Sequence, residues 1–272
     1  EISCSLVGSE MCIRDSFLSV DGGVDMHMHG PVFFDAILKL IKEGKLTEER
    51  VNKACAKILE AKFRLGLFEN RYVTEAGIKK TVFTKKHQQT ALEIARRSIV
   101  LLKNESLLPV DTRKFKKILV TGPNANNQSI MGDWVFEQPE KNVSTILEGI
   151  KEEASGTQIN YVDVGWNMRA LDSAKIEEAI QTAKSSDLAI VIVGEDSFRQ
   201  HWKEKTCGEN RDRMDITLWG KQDYLVESIY KTGVPTIVIL INGRPLATRW
   251  IAENIPAVIC LLYTSPSPRD CS

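Results

Sequence analysis

Leu188-Ala189-Ile190-Val191-Ile192-Val193 is an unbroken apolar run of strand length, and it passes directly into Gly194-Glu195 and a polar stretch from Asp196 to Gly220. A run this short, rich in β-branched residues and apolar at every position, fits a strand buried on both faces. Further β-rich segments stand at Lys117–Thr121, Ile159–Val164 and Thr236–Ile241, and another begins at Ala257–Cys260. Between them, Ser173–Lys184 and Lys221–Thr232 carry apolar residues at helical spacing. Buried strands alternating with helices predict a mainly parallel sheet covered on both faces, an α/β/α sandwich with Leu188–Val193 at its centre.

Upstream the texture is helical. Phe33, Phe34, Ile37, Leu38, Leu40 and Ile41 mark a helix over Pro31–Glu43 that Gly44 stops. Thr47 reads as an N-cap, with Glu48 and Glu49 in the first turn where the helix dipole favours acid. Val51, Ala54, Cys55, Ile58, Leu59 and Lys62 follow on one face, up to Gly66. Asn70–Lys86 is polar and mixed and reads as a linker. A further helix is predicted from Thr84 to Leu102, with Ala91, Ile94, Ala95, Ser98, Ile99 and Leu102 on one side. Residues 1–16 show no periodicity, and 261–272 follow abruptly on an apolar run. Both read as tails foreign to the fold.

Composition excludes several functions. Lys plus Arg (36) balance Asp plus Glu (36) in 272 residues, so nothing favours nucleic acid or an anionic membrane. The apolar runs are far short of a membrane span. Of six cysteines, Cys4, Cys12 and Cys271 fall in the terminal segments, Cys55 and Cys260 read as buried free thiols, and Cys207 sits in the polar stretch. No spacing suggests zinc; His27 and His29 lack a third ligand. Gly122-Pro123-Asn124-Ala125 is neither a P-loop nor a dinucleotide fingerprint. No cofactor is expected.

An ordered series of blocks adds a resemblance. Gly22-Gly23-Val24-Asp25-Met26, Lys62-Phe63-Arg64-Leu65-Gly66, Ala95-Arg96-Arg97-Ser98-Ile99-Val100-Leu101-Leu102-Lys103-Asn104, Leu107-Leu108-Pro109, Gly122-Pro123-Asn124 and Ile241-Asn242-Gly243-Arg244-Pro245 occur in this order. Together they resemble family 3 of the glycoside hydrolases, in its bacterial β-glucosidase and β-xylosidase branch. The resemblance implies that residues 17–69 are the C-terminal end of a (β/α)8 barrel, 70–86 the linker and 87–260 the sandwich domain, truncated. It implies a retaining exo-acting β-glycosidase working on terminal β-linked sugars of oligosaccharides or of aryl and alkyl β-glycosides. It also suggests a periplasmic or secreted parent protein. Oligomeric state is not written in the sequence.

Ligands of open parallel sheets bind beyond the carboxyl ends of the strands, where the stretch Asp196–Gly220 begins. The resemblance puts the general acid/base glutamate on this loop, shortly before an Arg and an Ile-Thr-Leu type segment. Glu209, ahead of Arg213-Met214-Asp215-Ile216-Thr217-Leu218, fits best; Glu204 and Glu195 are its rivals, and Glu195 could equally anchor the loop. Trp202, Asp212 and Arg213 are candidate sugar ligands. Trp134 could stack on a sugar or pack in the core, and Asp25 is expected to shape a loop. The family's nucleophile is an Asp before an aromatic, upstream of Gly-Val-Asp-Met; Asp15 has no aromatic after it, so the nucleophile is absent from this chain. The alternatives are a carbohydrate-binding or scaffold sandwich without catalysis, or a β-xylosidase or β-N-acetylglucosaminidase of the same family.

Overall fold

The structure, a computed structural model, describes residues 9–28, 30 and 32–262. Of the expected tails 1–16 and 261–272, residues 1–8 and 263–272, with Cys4 and Cys271, lie outside the described residues, as do His29 and Pro31. The chain divides into two compact units, the first ending at Gln88 and the second beginning at Gln89.

The first unit is helical. Helix α1 spans Ser9–Asp21, α2 Phe33–Lys42, α3 Glu48–Arg64 and α4 Glu75–Thr81, and α5, Lys85–Ser98, runs across the division. Helix α1 covers residues 9–16 of the segment in which no periodicity is read. Ile13, Phe17 and Val20 recur at helical spacing and pack with Phe33, Ile37, Leu40 and Leu46 in a small apolar cluster. Thr47 caps α3 by accepting the Arg50 N–H at 3.2 Å. Asp25 does shape its loop: it pairs with Arg50 at 3.0 Å and Lys57 at 2.5 Å, while Arg50 also donates to the carbonyls of Val20 and Val24. These partners, led by the Lys57 hydrogen bond, hold the Asp25 carboxyl below its ordinary range. The Cys55 thiol is exposed rather than buried, because the apolar face of α3 carries only half-buried residues such as Val51, Ala54 and Ile58. Phe34 and Phe63 are largely exposed. The expected linker contains α4.

The second unit holds a six-stranded sheet. In chain order its elements are β1 (Ile99–Asn104), β2 (Lys117–Thr121), α6 (Ile146–Glu153), β3 (Gln158–Val162), α7 (Ser173–Lys184), β4 (Leu188–Gly194), α8 (Gln222–Tyr230), β5 (Thr236–Asn242), α9 (Arg249–Asn254) and β6 (Ala257–Leu262). The spatial order is β1-β6-β5-β4-β2-β3, with every pair parallel except β1 with β6. The predicted helix over Thr84–Leu102 is therefore corrected. It ends at Ser98, and Ile99–Leu102 turns into a strand whose β-branched start pairs antiparallel with Leu261, Cys260 and Ile259.

Strand β4 is buried at every position, as expected. Its alternate residues feed two cores. Val191 and Val193 pack with Leu119, Val238, Leu240 and residues of α7, α8 and α9 such as Ile176, Leu225 and Ile251. Ile190 and Ile192 pack on the other face with Ile118, Val120, Ile237, Ile241 and Leu147 of α6. The sheet thus lies between helical layers, and its strand order reverses between β2 and β4, where parallel sheets open a crevice at their carboxyl ends. Gly194 permits the sharp exit there: at φ +146°, a Cβ would collide with the Ile241 carbonyl.

Burial predicts a contrast in stability. Ile192→Ala, in a wholly packed site, should cost about 2–5 kcal/mol in denaturant unfolding. Leu101→Ala, at a 56% exposed position of the edge strand β1, should cost less than about 1 kcal/mol. Equal losses would contradict the central position of β4.

Candidate active site

The loop after β4 folds back on its own base. The Asp196 carbonyl accepts the N–H groups of Thr206 at 2.7 Å and Cys207 at 3.2 Å, and the Asp196 N–H donates to Thr206 Oγ1 at 3.0 Å. The Asp196 carboxylate accepts the Phe198 N–H at 2.8 Å and lies 2.6 Å from His201 Nδ1. Trp166 stacks on the His201 ring at 3.8 Å between centroids. Glu195, Asp196, Ser197, Phe198, Lys205, Thr206 and Cys207 are consequently buried. A solvated surface loop would not bury its base in this way.

The three candidate glutamates occupy different environments. Glu195 is completely buried; its Oε1 meets Arg213 Nη1 at 3.0 Å and Arg244 Nε at 3.4 Å. Its Oε2 is buried with no hydrogen-bond partner among the described residues. Glu204 is half-buried; its N–H donates to the His201 carbonyl, and its own carbonyl faces Arg169 Nε at 3.4 Å. Glu209 is open to solvent, with its side chain 43% exposed and its carboxylate accepting Arg199 Nη2 at 2.7 Å.

The expected sugar ligands divide similarly. Trp202 is 41% exposed, with Lys205 Nζ 4.2 Å and the Arg199 and Arg211 guanidinium carbons 5.4 and 5.5 Å from its ring centre. Asp212 is exposed. Arg213 turns inward: it donates to the Thr217 carbonyl at 2.6 Å, lies over Trp219 at 4.5 Å and has its charge spent on Glu195. Arg169, 3.7 Å above the same ring, is held below the ordinary arginine range by burial and by Arg211 and Arg213. Trp134 is 58% exposed and stacks under Arg199, so it is no core residue.

Four contributors escaped the sequence reading: Asp133, Arg199, Lys205 and Arg244. Asp133, on the segment after β2, is buried and reaches across the crevice to the β4 loop. Its Oδ2 accepts Lys205 Nζ at 3.0 Å and the Glu209 N–H at 2.8 Å; its Oδ1 accepts the Trp134 N–H at 2.9 Å. Burial alone would raise the Asp133 carboxyl. The two backbone N–H groups and the Lys205 ammonium outweigh it and hold the group below the ordinary range. Lys205 and Asp133 are 72 residues apart, and no local pattern in the sequence connects them.

Residues 99–266 match the family model for the glycosyl hydrolase family 3 C-terminal domain. A β-xylosidase of Formosa agariphila is 35% identical over 91% of this chain and 35% of its own length. A periplasmic β-glucosidase of Salmonella typhimurium is 30% identical over 85% of this chain and 32% of its own. The chain thus spans about a third of the length of these relatives. Among solved structures, a β-glucosidase from Listeria innocua in complex with isofagomine superposes with a TM-score of 0.78 at 26% identity, over 93% of this chain and 34% of that one. With the α/β sheet and the family match covering most of its length, this chain belongs to glycosyl hydrolase family 3.

Proposed function

We propose that the chain is part of a longer, retaining, exo-acting β-glycosidase of the β-glucosidase type, and that Glu209 is its general acid/base. The observation that carries this is the division of labour among the loop glutamates. Glu195 is sealed between two arginines, whereas Glu209 stands open to solvent on the loop that follows the central strand. The relatives named β-xylosidase and β-glucosidase support the reaction class. In double displacement, a carboxylate attacks the anomeric carbon while the acid protonates the departing oxygen. The same acid, now a base, then activates water. The attacking Asp comes from residues outside this chain; Asp15 sits exposed on α1 and has no part in the reading. Trp202 and Asp212, both open to solvent near Glu209 in the sequence, are proposed to touch the sugar. Arg213 acts on it only through the loop it braces.

In the longer enzyme, Glu209→Gln should abolish most hydrolysis of alkyl β-glycosides, a loss of roughly 10²–10⁴-fold. An activated aryl glycoside needs no acid, so its first step should survive and the glycosyl-enzyme should accumulate. Azide should then restore turnover and yield a β-glycosyl azide. Azide rescue of Glu204→Gln or Glu195→Gln, with Glu209→Gln indifferent, would transfer the role. A second expectation concerns the 272 residues alone, which should hydrolyse no aryl β-glucoside because the nucleophile is missing. Turnover by the pure chain would contradict that.

A further inference from the structure

We propose that Asp133 and Lys205 form a positioning pair for the acid/base: the buried carboxylate fixes the peptide of Glu209, and Arg199, on the same carboxylate, fixes its side chain. The inference rests on the reading of Glu209 given above and deepens it. Asp133 is 2% exposed and Lys205 0%. A buried ammonium is tolerated only beside a counter-charge, so each of the two requires the other. Around the Asp133 carboxylate gather Lys205 Nζ, the N–H groups of Trp134 and Glu209, and Arg199 Nε at 3.3 Å. The Arg199 guanidinium then extends to the Glu209 carboxylate at 2.7 Å, with its carbon 3.8 Å from the centre of the Trp134 ring. Backbone and side chain of Glu209 are thus referred to one fixed anion.

The residue before Glu209 is shaped to the same anion. Gly208 has φ +90°, and a Cβ there would stand 2.6 Å from Asp133 Oδ2. Only glycine lets the peptide N–H of Glu209 come down onto that oxygen. A proton donor displaced by an ångström loses much of its effect, so the placement of this peptide bears on the chemical step rather than on sugar binding.

The test uses the longer enzyme and a series of β-glycosides from 2,4-dinitrophenyl to methyl. In Asp133→Asn, the one remaining oxygen serves either the Trp134 N–H or the Glu209 N–H and Lys205, and an NH₂ group faces the other side. The loss in kcat/KM, which reports the first step, should grow with leaving-group basicity, being at least about tenfold greater for the alkyl than for the dinitrophenyl glycoside. Asp133→Asn/Lys205→Met removes both buried charges and leaves no orphan ion; it should fold and show the same dependence if the single variant does not. A uniform loss across the series, or none, would overturn the positioning role, provided Glu209→Gln still shows selective loss and azide rescue. If Glu209→Gln shows neither, the acid/base reading falls, and the role of the pair falls with it.

Discussion

The loop architecture of the second unit depends on a buried charge at the end of an apolar strand. Glu195 follows directly on β4 and has no exposure to water. An isolated carboxylate in that position would be prohibitively costly, so guanidinium groups must come to it. Arg213 comes from the far part of the β4 loop and Arg244 from the segment after β5. Asn124, after β2, donates to the Glu195 carbonyl at 3.1 Å. Three connections at the carboxyl end of the sheet therefore converge on one residue. Arg244 continues the network by donating to the Arg211 carbonyl at 2.7 Å.

Asp133 supplies the second anchor, on the opposite side of the strand-order reversal. It binds Lys205 and the Glu209 peptide, so a loop of some two dozen residues is held by buried ion pairs at its base and near its middle. Long loops within compact domains are usually functional or disordered, and this one has the bonding of an ordered element. Asp196, Lys205 and Arg213 are among its charged groups committed to structure, while the Glu209 side chain remains open to solvent. A solvent-open carboxylate carried on a fixed backbone is the arrangement that acid/base chemistry needs.

The fold was largely legible in the sequence because buried parallel strands write themselves as apolar runs. Leu188–Val193 and Lys117–Thr121 need no context to be read as strands. Ile99–Leu102 was misread because four apolar residues directly after a helix extend its periodicity as readily as they begin a strand; antiparallel pairing with β6 decides between them. Ile13, Phe17 and Val20 were passed over because the polar residues among them lower the contrast of the face. At the site, it is the family resemblance, through the segment 213–218, that points to Glu209 four residues before Arg213. The partner that fixes its peptide could not be read, since Asp133 lies 76 residues away and is joined to it only by the reversal of strand order. Arg213 looked like a sugar ligand because burial by Glu195 has no local signature.

The central claim is that this loop presents Glu209, and not its rivals, to the bond being cleaved. The most direct measurement is a crystal structure of the longer enzyme holding an uncleaved thio-linked β-disaccharide. The account predicts a Glu209 carboxyl oxygen within about 3 Å of the bridging atom between the sugars, with Glu195 still enclosed by Arg213 and Arg244. Glu204 or Glu195 at that atom, with the Glu209 carboxyl turned away from it, would contradict it.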